Sequence, residues 1–138
     1  MKGFRYLFLA FIALFVTACG SEDKVEMSTV SGEVSYLSKI AIPAEAVVTV
    51  TLSDVSRVDA PAEELTALVF NSDGKQSPFP FELQYDKSQI KENNRYVVRA
   101  TITMNDKLMF TTDKAYPVIN DPSNTDKVEL VLVRAPRG

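Results

Sequence analysis

Residues 96–104 read Tyr96-Val97-Val98-Arg99-Ala100-Thr101-Ile102-Thr103-Met104. Tyr96, Val98, Ala100, Ile102 and Met104 fall on one parity, and Val97, Arg99, Thr101 and Thr103 on the other. A period of two sends successive side chains to opposite sides of an extended strand, whereas a helix would need 3.6. The β-branched residues here suit a pleated, half-buried surface. The same alternation recurs outward in both directions. It is carried by Val30, Gly32, Val34 and Tyr36, by Val48, Val50 and Leu52, by Phe79, Phe81, Leu83 and Tyr85, and by Val128, Leu130 and Leu132. Leu108 and Phe110 flank Met109 in the same manner. Ala67 to Phe70 is apolar on both parities and reads as a central strand.

Turn chemistry separates these runs. Asn71-Ser72-Asp73-Gly74 reads as a hairpin-type turn, since glycine is free to take positive φ. Met104-Asn105-Asp106-Lys107 joins two strands tightly, and Asn120-Asp121-Pro122-Ser123-Asn124 is a polar loop. Ser88 to Glu92 reads as one helical turn. About seven short strands with regular turn signals predict an all-β domain, a single small antiparallel β-sandwich of immunoglobulin-like topology without a disulfide. The chain has no tryptophan and one cysteine, so the core must rest on apolar packing. Burying Phe79, Phe81, Tyr96, Ile102 and Phe110 would supply roughly 1.5–3 kcal/mol each before conformational entropy is counted. Pro78 and Pro80 bracket Phe79, which places that strand at a sheet edge, because proline cannot donate to a ladder.

Upstream the grammar changes. Lys2 and Arg5 precede an apolar run from Tyr6 to Val16, followed by Thr17-Ala18-Cys19-Gly20. A basic start, an apolar stretch and small residues at a cut form an export signal. The run is shorter than the roughly 20 residues that a spanning helix needs. Val16-Thr17-Ala18-Cys19 resembles the bacterial lipobox. That resemblance implies cleavage between Ala18 and Cys19 and acylation of Cys19, so that the membrane is engaged through acyl chains, which needs more than one chain to be stable. Residues 1–18 are expected to be the signal peptide, 19–28 the lipidated cysteine and a polar tether, and 29–136 the domain. Ser21 to Ser28 would reach at most about 25–30 Å when extended. Gly20 stands where an aspartate would resemble an inner-membrane retention signal in enteric-type bacteria, which favours the outer membrane, facing the periplasm.

Composition excludes several functions. Removing Lys2 and Arg5 leaves 13 basic residues against 18 acidic ones, a charge of −5. Nucleic acid is therefore not an expected partner, because its backbone calls for a basic footprint. The chain has no histidine, which removes the Ser-His-Asp and Cys-His arrangements and, with a single cysteine, a Cys/His zinc site. No cofactor and no metal is expected. Asp54, Asp59, Glu82, Asp86 and Asp113 could supply a glycosidase-type carboxylate pair. Each has a plainer reading: Asp54 and Asp59 as turn residues, Asp86 as a cap, Glu82 on the polar face of its strand. Asn120, Asp121, Asn124 and Asp126 have calcium-loop character but read first as a solvated loop. The expectation is no enzyme.

Several blocks resemble one family. They are Gly32-Glu33-Val34-Ser35-Tyr36, Ile42-Pro43, the run from Leu52 to Ala62 with Asp54-Val55-Ser56 and Asp59-Ala60-Pro61-Ala62, and Gln76 to Asp86 with Pro78-Phe79-Pro80-Phe81. They continue with Tyr96-Val97-Val98-Arg99-Ala100, Leu108-Met109-Phe110, Thr112-Asp113 and Tyr116-Pro117-Val118. Together they resemble the YbaY/YscW-like lipoprotein domain, with one departure at Asp106-Lys107, where a glycine would be expected. The resemblance implies an outer-membrane lipoprotein. Some members resemble pilotins, which bring a secretin to that membrane; others are loosely linked to envelope or polysaccharide metabolism. The leading expectation is a non-catalytic envelope interaction domain of YbaY type. The alternatives are a pilotin-like chaperone that binds a secretin, and a glycan or small-ligand binder using Tyr36, Tyr85 or Tyr116. The Phe79 strand and the Asp54–Glu64 segment are candidate contact edges.

Overall fold

The computed structural model describes residues 25–136. The residues read as signal peptide, Cys19 and the expected tether up to Lys24 lie outside the described residues. Eight strands follow one another: β1 (Met27–Tyr36), β2 (Val47–Asp54), β3 (Glu63–Asn71), β4 (Phe79–Asp86), β5 (Tyr96–Met104), β6 (Lys107–Thr111), β7 (Tyr116–Val118) and β8 (Lys127–Arg134). A 3₁₀ turn at Lys87–Gln89 follows β4. β1 begins two residues inside the segment read as tether, with Met27 opposite Asp86 and Ser28 opposite Tyr85.

The strands form one sheet in the order β3-β2-β5-β6-β8-β1-β4, with β7 also paired to β5. This corrects the expected immunoglobulin-like antiparallel sandwich. β4-β1-β8 and β3-β2-β5-β6 are joined through a short β6–β8 ladder, Phe110 opposite Arg134 and Thr111 opposite Val133. The sheet curls until its terminal strands β3 and β4 approach each other, and Phe70 and Phe79 meet with ring centroids 6.3 Å apart. The result is a nearly closed, barrel-like body. β1 and β8 run parallel, Gly32 opposite Val128. Alternation reports which side of a strand is buried. It carries no information on whether the sheet stacks or curls, nor on which distant strands pair.

The apolar parity points inward as expected. Val30, Val34, Val48, Val50, Leu52, Val98, Ile102, Leu130 and Leu132 are fully enclosed, and Phe79, Phe81, Tyr96 and Phe110 are at most 3% exposed. Tyr36 and Phe110 lie 4.7 Å apart, centroid to centroid. Gly32 belongs to the inward parity because no side chain fits there. A Cβ would sit 1.7 Å from the Val128 carbonyl oxygen and 3.1 Å from Phe81 Cζ.

Three local expectations need correction. The Ala67–Phe70 run lies in β3, a terminal strand, with Ala67 and Val69 exposed and Leu68 and Phe70 half-buried. Asn71–Gly74 does turn the chain, with Asp73 at φ 51° and Gly74 at φ 76°. It leads from β3 to β4, which do not pair, so it closes no hairpin. In β6, Leu108 pairs with Thr103 but Phe110 pairs with Ile102, so Met109 is an extra residue in a bulge. The bulge turns Leu108 outward, 46% exposed, while Phe110 stays in the core. The hairpin before it needs no glycine: Asn105 and Asp106 both take left-handed φ, 51° and 60°, a conformation that Asn and Asp tolerate. Pro80 lies as expected on an edge strand, β4.

Candidate functional site

The registers sort the connections onto two ends of the body. At one end β1 finishes at Tyr36, β2 begins, the β5–β6 hairpin turns, and β8 runs out at Arg134. At the other end β1 begins at Met27, and the 55–62, 87–95 and 119–126 connections lie there.

The Tyr36 end carries an apolar groove of about 670 Å³, lined by Ile40, Leu108, Met109, Phe110, Ala135 and Pro136, with Lys107 and Arg134 on its walls. Its construction is local. The β6 bulge presents Leu108. The Ala135 amide donates to the Met109 carbonyl at 2.9 Å, extending the ladder one step past β8, and Pro136 has no amide with which to continue it. The 37–46 connection forms the remaining side. The Tyr36 hydroxyl lies 3.0 Å from the Ile40 carbonyl and 3.2 Å from Gln76 Oε1, which also accepts from the Ile42 amide at 3.2 Å. The Ser72 hydroxyl donates to the Pro43 carbonyl at 2.7 Å. The segment is therefore pinned at Ile42–Pro43, while Leu37 and Ile40 stand 78% and 43% exposed.

The opposite end holds a polar cleft of about 290 Å³ beside Asp54, Ser56, Arg57, Pro61, Glu63, Lys91 and Asn94. Asp54 accepts from the Ser56 amide at 2.8 Å, from the Ser56 hydroxyl, and from Asn94 Nδ2 at 2.8 Å. Ser56 Oγ accepts in turn from the Arg95 amide at 2.7 Å. Partial burial works to raise the Asp54 pKa. It is outweighed by the Ser56 side-chain and backbone bonds, by Asn94 and by the Lys91 charge, so the carboxyl is held below its ordinary value. Such a group is a charged latch between two loops and lacks the raised pKa of a general acid.

The other carboxylates are dispersed. Asp86 accepts from the Ser88 amide at 2.8 Å and caps the 3₁₀ turn. Glu82 is exposed on β4, and Asp59 and Asp113 are exposed in connections. Asn120 donates to the Lys91 and Asn94 carbonyls at 2.9 and 2.7 Å, and Asp121 accepts from the Ser123 amide at 2.8 Å. No group of three acidic, histidine or cysteine side chains is placed to hold a metal among the described residues. Ile119, at φ 65°, forms a tight turn in which the Asn120 amide donates to the Val118 carbonyl at 2.8 Å. No signal in the sequence marked it.

Of the three tyrosines considered as sugar platforms, Tyr36 and Tyr85 are buried, and Phe79 is core. Tyr116 is half-buried, exchanges hydrogen bonds with the Val131 backbone at 3.1 and 3.2 Å, and has Lys114 Nζ 5.2 Å from its ring centroid. Of the two candidate edges, β4 is a terminal strand, and Arg57 to Glu64 is exposed throughout. Sequence reasoning missed the groove. One trace was Ile40, a large apolar residue outside any alternating run.

The described residues form a barrel-like all-β body with an apolar groove at one end and a polar cleft at the other. Comparison with known proteins places the chain in a family. Residues 25–130 match the family described as type III secretion system lipoprotein chaperone (YscW), and the chain belongs to that family. It is 44% identical over 112 residues to the uncharacterized lipoprotein YbaY of Escherichia coli (strain K12), a match covering 81% of this chain and 58% of that relative's length. Among solved structures it is similar to an alternative pilotin from the type II secretion system of Vibrio cholerae. That similarity has a TM-score of 0.78 and 42% identity, and covers 81% of this chain and all of the pilotin.

Proposed function

We propose that this lipoprotein is cut between Ala18 and Cys19, acylated on Cys19 and held in the outer membrane facing the periplasm, where its β-rich domain acts as a non-catalytic interaction module on a short tether. The observation that carries this reading is the groove at the Tyr36 end: a concave apolar surface rimmed by polar groups is what a binding module presents. The family description, a chaperone rather than an enzyme, supports it.

A second reading is favoured by the similarity to a complete pilotin chain. In it the partner is a secretin, and this protein aids that secretin's outer-membrane targeting. In-cell crosslinking of the acylated protein, followed by affinity capture and mass spectrometry, tests both. A secretin as the dominant capture, with its mislocalisation on deletion of this gene, supports the pilotin reading. Reproducible capture of other envelope proteins supports the general interaction module, and the absence of any specific capture refutes both.

A further inference from the structure

We propose that the groove at the Tyr36 end is a docking site for an apolar peptide segment flanked by carboxylates; this rests on the reading of the domain as an interaction module. Ile40, Leu108, Met109 and Pro136 supply the apolar surface, and Lys107 and Arg134 line the same groove; among the described residues no carboxylate does. The chain as a whole has an acidic excess, so the described lining is a local inversion of charge. Among the described residues the salt bridge found is Lys87 to Glu26, at the other end of the body, and neither groove cation is so paired. Two cations with no salt bridge among the described residues, beside an apolar floor, complement a ligand that is apolar in the middle and anionic at its margin. The bulge that turns Leu108 into this groove leaves a large side chain in water, which a bound apolar segment would cover.

Two other occupants fit less well. A second copy packed about a two-fold axis would set a patch bearing Lys107 and Arg134 against an identical patch, and like charges brought together at an interface core are costly. An anionic membrane would satisfy the cations, but a planar headgroup surface cannot enter a concave groove as a peptide segment can, and the vesicle competitor below separates the two.

The test uses the full acylated protein in nanodiscs of zwitterionic lipid and three probes. These are a fluorescent synthetic peptide with a leucine–phenylalanine centre flanked by aspartates, its lysine-flanked counterpart, and phosphatidylglycerol vesicles as competitor. The aspartate-flanked peptide is expected to bind saturably, at least about tenfold more tightly than the lysine-flanked one, and more weakly as salt rises. Leu108→Asp should abolish binding, and Lys107→Glu with Arg134→Glu should invert the preference between the peptides. An exchange of preference is a readout that simple unfolding cannot produce. Equal binding of both peptides, binding that survives Leu108→Asp, or displacement by the vesicles overturns the proposal. A photo-crosslinker placed at Leu108 or at Glu82 in cells separates the two levels of inference. A specific partner trapped from Glu82 but not from Leu108 overturns the groove while leaving the interaction module standing; no partner from either position overturns both.

Discussion

Replacing Gly32 by alanine adds one methyl group where β1 lies against β8. The new Cβ would lie 1.7 Å from the Val128 carbonyl oxygen and 2.8 Å from its carbon, so β1 and β8 must separate where they pair. Rigid overpacking of this kind costs about 1–3 kcal/mol, and the loss of about two ladder hydrogen bonds adds about 1 kcal/mol each. Against this, alanine restricts the unfolded chain and returns about 0.4–1 kcal/mol. The clash wins, leaving a net loss of roughly 2–5 kcal/mol out of the roughly 5–15 kcal/mol typical of such domains. At about 4 °C per kcal/mol for a domain of this size, the unfolding midpoint should fall by roughly 8–20 °C. Thermal unfolding followed by circular dichroism, with urea titration alongside, measures it. Phe81→Leu in the same background should not restore the midpoint, because the obstacle is backbone and the Phe81 ring is only the third-nearest contact, at 3.1 Å. A midpoint within about 2 °C of wild type, or rescue by Phe81→Leu, would refute the claim that backbone proximity of β1 and β8 excludes a side chain here.

Three further outcomes follow from other parts of the molecule. Asp54→Ala removes an acceptor for Ser56 and Asn94 and should cost about 1 kcal/mol at neutral pH. Because the native carboxyl is held below its ordinary value, its contribution is fully present above the unfolded pKa and is lost as pH falls through the lower folded one. The gap between wild type and variant should therefore narrow below about pH 4 in acid titrations of stability, and a gap constant down to pH 2 would contradict the latch. Gln76→Ala should leave global stability within about 1–2 kcal/mol but speed hydrogen exchange at the Ile42 amide, which Gln76 Oε1 accepts; unchanged protection there would show that the 37–46 segment is held by other contacts. Cys19→Ser should abolish acylation and membrane residence while leaving the domain's circular dichroism unchanged, and continued acyl labelling of the variant would exclude Cys19 as the anchor.

What was legible in the sequence was parity. Tyr96 to Ile102, Phe79 to Tyr85 and Val128 to Leu132 turn their apolar sides inward as the alternation requires, although Val97 on the opposite parity is enclosed too, and Pro80 marks an edge. Local hydrogen-bonding chemistry was legible too, since Asp54 and Asp86 bond their own loops. Pairing was not. The β1–β8 contact joins residues nearly a whole domain apart, and no local pattern encodes it. The apolar density of Ala67–Phe70 suggested a central strand because burial on two faces and half-burial at a seam leave the same composition. The groove stayed hidden for a related reason: a one-residue bulge at Met109 reverses the facing of Leu108, and a bulge leaves little mark when the residues around it are all apolar.

The parallel pairing of the first and last strands has a consequence for the order in which this chain can acquire structure. The Ser35 hydroxyl reaches the Leu130 carbonyl across 95 residues of chain. Until β8 has been made, β1 has β4 alone as a neighbour and β6 has β5 alone. Contacts of such separation form slowly, and a body that depends on them cannot close piece by piece as the chain lengthens. Products truncated before residue 127 would display two open strand edges, making them targets for proteolysis rather than partly working copies.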